Sequence, residues 1–177
     1  MDNSQKDGIK FMLIASLLFA FMGAFAKILS ENLPSIEIVF FRNIFGVVLI
    51  SYAIYKAKPV QIGGKTWLLF FRGFMGFSAL MMFFYNIAHI SLAEAMTFSK
   101  ISPIFTAIFA FLLLKERMNL QAWIGVFIGF CGVLLITKFD GSNLDKTDWL
   151  GIFSGIGAAL AYTSIRELKN YYDTKTI

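Results

Sequence analysis

The sequence predicts an all-α integral membrane protein, a bundle of six transmembrane helices. Composition is the first reason. Of 177 residues, 58% are hydrophobic and 15% charged, and mean hydropathy is +0.70. Soluble domains average about 45–50% apolar and about 25% charged, so a single soluble core could not bury the 21 Phe and 8 Met of this chain. Spacing is the second reason: six apolar runs each approach the roughly 20 residues that a helix needs to cross a bilayer. Continuity is the third. The runs do not alternate with polar residues, which argues against a strand barrel, and in lipid such runs satisfy their backbone only as helices.

In chain order the spans are expected at Ile9–Leu29, Glu37–Tyr55, Trp67–His89, Leu92–Leu114, Gln121–Thr137 and Trp149–Ile165. The first follows Lys6 and Lys10 and holds Ala24-Phe25-Ala26, features shared with a cleaved signal peptide. The rest of the chain is equally apolar, so the segment is read as an uncleaved span. Pro103 falls inside the fourth span, where it removes a backbone hydrogen bond and kinks the helix. Ser99 and Ser102 are placed to satisfy the freed carbonyl. Such a break either shapes the bundle or exposes backbone to a transported solute. The fifth span carries Gly125, Gly129 and Gly132, and the sixth Gly151, Gly155 and Ala159. Both read as small-residue stripes that let helix backbones approach, for packing or for sliding. Cys131, the single cysteine, excludes an intrachain disulfide.

Positive charge sets the expected orientation. With a cytoplasmic N-terminus, the inner flanks collect Lys6, Lys10, Lys56, Lys58, Lys65, Arg72, Lys115, Arg117, Arg166, Lys169 and Lys175. The outer flanks keep Lys27, Lys138 and Lys146, accompanied by Glu31, Asp140, Asp145 and Asp148. The net charge of +5 is therefore a topology signal and not a nucleic-acid footprint.

Ionisable residues inside spans cost about 2.5–3.5 kcal/mol on insertion scales and read as functional by default. Arg42 and Glu94 lie near outer span ends, where they can snorkel or pair with one another, and Arg72 lies near the inner end of the third span. These three read as structural or topological. Lys100 is deeper, eight residues into its span, or about 12 Å along the axis. It could snorkel, attract an anionic substrate, neutralise a carboxylate, or change protonation during transport. Tyr85, Asn86, Asn43, Tyr162, Thr163 and Ser164 are the uncharged polar residues expected to face the same interior. The substrate-binding candidates are Lys100, Tyr85, Asn86 and Tyr162, with Pro103 as the helix break.

No H-E-x-x-H, G-x-S-x-G, phosphate-binding loop or cysteine cluster occurs. No enzyme activity, cofactor or metal site is expected, and the single His89 cannot form a metal site by itself.

Over Leu92–Gly132 a pattern emerges: Ala93-Glu94-Ala95, Ser102-Pro103-Ile104-Phe105, Leu114-Lys115-Glu116-Arg117, and Gly125, Gly129 and Gly132. With Phe41-Arg42 and Phe71-Arg72-Gly73, this resembles the EamA-type transporters of the drug/metabolite transporter superfamily. The resemblance implies secondary transport of a small metabolite across the inner membrane, by alternating access between two inverted five-helix repeats. Residues 1–138 would form the first repeat. Residues 139–177 would supply an outer loop and the first helix of the second, its Leu160-Ala161-Tyr162 echoing Phe19-Ala20-Phe21. Ten helices are usual in the family and this chain has six, so the resemblance implies a transporter interrupted after the sixth. Transport would then need a homodimer or a separately encoded second half. The competing expectation is a non-transporting truncated product or a helical partner subunit. Expected partners are the lipid bilayer and a small-molecule substrate, with no nucleic acid. Lys100 is not a family motif position, and Glu116 reads as a helix anchor at the inner turn.

Overall fold

Pro103 divides the fourth span, so seven helices stand among the described residues where six spans are expected. The structure is a computed structural model describing residues 3–56, 63–113, 115, 118–137, 145–173 and 176–177. Leu114, Glu116 and Arg117 lie outside the described residues, as do the flanking charges Lys58, Lys138, Asp140 and Lys175. The helices are α1 (Asn3–Leu29), α2 (Ser35–Lys56), α3 (Thr66–His89), α4 (Leu92–Ser99), α5 (Ile101–Leu113), α6 (Leu120–Ile136) and α7 (Lys146–Leu168).

The break falls at Lys100, three residues before the proline. A proline ring clashes with the carbonyl four residues earlier and cannot donate to it; for Pro103 that carbonyl belongs to Ser99. The chain responds by tightening: Lys100 N–H donates to Thr97 O at 2.9 Å, a three-residue step. Pro103 then occupies the first turn of α5, where its missing N–H costs nothing. The two serines do not act as expected. Ser99 Oγ donates to Met96 O at 2.6 Å, and the buried Ser102 Oγ has no partner. Upstream, Ser91 and Glu94 form a reciprocal capping box at the start of α4. Glu94 is therefore a cap, and no ion pair joins it to Arg42 among the described residues.

α7 runs antiparallel to α3 and parallel to α4 and α5, and α1 runs parallel to α3. At one end of the bundle, Lys27 Nζ donates to Ile87 O and Ile90 O, both at 2.9 Å, capping the carbonyl end of α3. At that same end Asn86 Nδ2 donates to Thr147 O of α7 at 2.9 Å. At the other end Lys65 bonds Glu167, Tyr172 Oη donates to Gly64 O, and Gly63 N donates to Tyr171 O at 3.2 Å. Gly63 and Gly64 take positive φ there, at 80° and 115°. The hydrogen bond to Glu167 raises Lys65 above the ordinary lysine value.

Buried apolar residues form two clusters. Ala26, Ile38, Val39, Phe83, Phe84, Ile87 and Ala95 pack together where α1, α2, α3 and α4 meet. A second cluster joins Phe98, Ile101 and Val133, with Ile152 of α7 against it. Elsewhere α1 and α2 present Phe11, Leu13, Leu17, Phe45, Val48 and Leu49 outward, as lipid-facing helices do.

Four stretches are long and apolar enough to cross a membrane: Lys6–Leu29, Ser35–Lys56, Thr66–His89 and Leu92–Leu113. Leu120–Ile136 is apolar but shorter. The sixth expected span lies within α7, which falls outside that set despite its 23 residues. Its environment explains the difference. α7 is the central helix, making its most extensive contacts with α3 and the next with α5. Protein covers one face of it, where Gly151, Ser154, Gly155, Ala159 and Ala161 take the place of large apolar residues.

The two glycine stripes accordingly differ. A Cβ on Gly151 would lie 2.5 Å from the Phe98 ring, and one on Gly155 would lie 2.9 Å from Ile101. Along α6, Gly125 and Gly132 meet nothing within 4 Å, and Gly129 faces Ile104 at 3.3 Å. Close approach at small residues holds α7 against α4 and α5; the α6 stripe is mostly uncovered.

Candidate functional site: a cation-lined cavity at the helix break

The α4–α5 break leaves the Lys100 turn beside α7, and a cavity of about 680 Å³ opens there between α1, α2, α3, α5 and α7. Volumes of about 300–1,000 Å³ are usual for small-molecule sites. Its polar lining comes from Ser16 of α1, Arg42 and Asn43 of α2, Arg72 of α3, Ser99 and Lys100 at the break, Ser102 of α5, and Ser154 and Tyr162 of α7. Apolar walls come from residues such as Phe19, Phe77, Leu80, Phe83 and Ile165, Gly73 and Gly76 also line the cavity, and at Gly155 α7 packs closely on Ile101.

Some of these polar groups have local partners and others do not. Arg42 lies over the Phe84 ring, 5.8 Å from its centroid. Its Nη1 is 3.5 Å from Asn43 Oδ1, long for a hydrogen bond. Arg72 is half-buried, and its Nε has no hydrogen-bond partner. Ser154 Oγ donates to Ala79 O at 2.8 Å, tying α7 to α3 at the cavity wall. Ser16 Oγ is turned to Met12 O of its own helix at 2.8 Å. Lys100 is exposed toward the cavity and joins no ion pair among the described residues.

The structure brings Lys100, Pro103, Tyr162 and Asn43 to one cavity and places Tyr85 and Asn86 elsewhere. Tyr85 stacks on His89 with ring centroids 3.9 Å apart, and Lys146 Nζ lies 5.4 Å from its ring centroid. Asn86 is 1% exposed, bound to Thr147 O through Nδ2, with Oδ1 unpartnered. Both belong to the α3–α7 joint at the bundle end. Thr163 and Ser164 bond carbonyls of their own helix, at Ala159 and Leu160.

Arg42 and Arg72 are lining residues that depth alone obscured. Each is an ionisable residue inside a span, the same signal that singles out Lys100. Nearness to a span end made snorkelling sufficient, whereas the tertiary packing turns both toward the interior.

Together these features define a class: a multi-pass α-helical membrane protein with a polar cavity among its helices, broken open at a proline. Within that class the chain belongs to the EamA-like transporter family, which matches residues 6–138. It is 38% identical over 182 residues to an uncharacterized transporter of Helicobacter pylori (strain ATCC 700392 / 26695), covering 100% of this chain and 61% of that protein. It is 35% identical over 173 residues to the pseudopaline exporter CntI of Pseudomonas aeruginosa, covering 97% and 61% respectively. Human solute carrier family 35 member G1 is 30% identical over 166 residues, covering 86% and 45%. The chain thus spans 61% or less of the length of these three relatives. No solved structure matches it significantly.

Proposed function

We propose that the chain is a secondary-active transporter of a small metabolite, working by alternating access in the inner membrane with its N-terminus in the cytoplasm. The cavity beside the Lys100 break carries this reading. Transporter sites are commonly built at interrupted helices, where irregular backbone lines a cavity. The relationship to named transporters supports the same conclusion. Orientation is supported by the positive flanks: Lys65 and Arg166 mark one end of the bundle, Lys27 and Thr147 the other.

Residues 1–138 act as the first repeat, and α7 opens the second in inverted orientation. The antiparallel run of α7 against α3 supports this. Further helices complete the cavity wall, whether from the same polypeptide, a second copy or a separately encoded half.

The test has two stages. Untargeted metabolite comparison of cells with and without the gene identifies a candidate solute. The assembly is then reconstituted in liposomes preloaded with that solute. Counterflow of labelled solute, without ATP, is the expected result. A solute difference in cells without counterflow in liposomes contradicts secondary transport.

A further inference from the structure

We infer that the cavity binds small organic anions, carboxylates or phosphates, through Arg42, Lys100 and Arg72. The inference rests on the transport reading and specifies the charge of its cargo.

Three cations come from three separate parts of the fold, and no Asp or Glu stands among the described residues lining the cavity. None of the three forms an ion pair among the described residues, where the pairs are Lys10–Asp7 and Lys65–Glu167. Arg42 and Lys100 are exposed and Arg72 half-buried in the chain itself, but within membrane spans positive charge without a counter-charge is unfavourable unless something compensates it. Two hydrogen-bonding groups at the same cavity are also left open. Arg72 Nε and Ser102 Oγ are buried without partners, and Ser102 is only 4% exposed. Buried polar groups of this kind normally have partners. An anion with two or more acceptor oxygens satisfies both deficits at once.

The cations are also staged along the bundle. Arg42 stands at the level of Phe84, and Phe84 is twelve residues beyond Arg72 on α3, a rise of about 18 Å. Lys100 falls between them. Its neighbours Phe98 and Ile101 abut Gly151 and Gly155, and the adjacent Ser154 bonds Ala79 of α3. An anion entering from either end therefore meets one arginine, then a lysine at the helix break, then the other arginine. Each guanidinium offers a planar fork to a carboxylate or phosphate, and the lysine offers a point charge. A cationic cargo would be repelled at all three levels, and a neutral one would leave them uncompensated.

Thermal unfolding of the purified full chain in nanodiscs tests this. The probes are citrate, 3-phosphoglycerate and AMP, set against glucose, adenosine and spermidine. At least one anion is expected to raise the midpoint, with the neutral and cationic probes inactive. Arg72→Gln and Lys100→Met should each weaken that anion's apparent affinity at least tenfold, Arg72→Lys less so, and the exposed Lys10→Gln not at all. If a substituted protein fails to fold, equilibrium dialysis of radiolabelled citrate, 3-phosphoglycerate and AMP against the native protein at rising salt replaces that arm; binding that salt does not weaken overturns the inference. Stabilisation by no anion, or equally by glucose or spermidine, also overturns it. Discs of phosphatidylglycerol and of phosphatidylcholine separate a lipid headgroup from a soluble cargo: stabilisation by phosphatidylglycerol in place of the soluble anions counts against the proposal. Anion binding without flux refutes the transport reading alone. Flux of a neutral or cationic solute that is indifferent to the three substitutions refutes this inference alone.

Discussion

Lys100→Met is expected to lower cargo-dependent flux at limiting cargo by about 10- to 100-fold while leaving membrane insertion intact. A hydrogen bond to a charged group contributes about 1.5–3 kcal/mol, and each 1.4 kcal/mol is about tenfold. Insertion should not suffer, because removing a charge from a span relieves a penalty of about 2.5–3.5 kcal/mol. The lysine also makes no ion pair among the described residues that its loss would orphan. Flux assays in liposomes, with the amount of inserted protein measured in parallel, read both quantities. Unchanged kinetics would remove Lys100 from the cargo path.

The second large effect concerns the seam between α7 and the broken helix. A methyl group at Gly151 would overlap the Phe98 ring, and one at Gly155 would press on Ile101 and approach Phe98 O at 3.4 Å. Neither neighbour is free to move, since Phe98 and Ile101 are themselves 4% and 3% exposed. Gly151→Ala and Gly155→Ala should each destabilise the folded bundle by about 1–3 kcal/mol, the usual cost of overpacking. Gly125→Ala and Gly132→Ala meet open space and should be neutral or stabilising by up to about 1 kcal/mol, because alanine favours a helix over glycine. Unfolding in mixed detergent measures the four variants side by side. Equal responses along both helices would refute the assignment of α7 as the central packed element.

The helices were legible because length and continuity of apolar residues decide them almost alone. The break in the fourth span was legible too, since Pro103 announces it, although the clash acts on Ser99 and moves the discontinuity to Lys100. Which helix would be central was harder to read. In α7 the signal is a surplus of Gly, Ala and Ser, which a lipid-facing helix can also carry, and only packing against Phe98, Ile101 and Ala79 separates the two cases. The cavity lining was half legible. Lys100 and Tyr162 follow from depth and polarity. Tyr85 and Asn86 share those properties, yet lie at the end of α3, engaged with His89, Lys146 and Thr147. Arg42 and Arg72 needed the third dimension, because helix rotation decides whether a charge near a span end points to the surface or inward.

The central claim is that the space bounded by α1, α2, α3, α5 and α7 is a polar path for cargo and not a lipid-filled groove. Alkylation by a membrane-impermeant thiol reagent tests it directly. In a Cys131→Ser background, a cysteine replacing the cavity residue Ala158 should react readily in intact liposomes, and bound anion should slow the reaction. A cysteine replacing Leu135, 80% exposed on α6, should stay unreactive because lipid covers it. Reaction at position 135 with none at 158 would contradict the account.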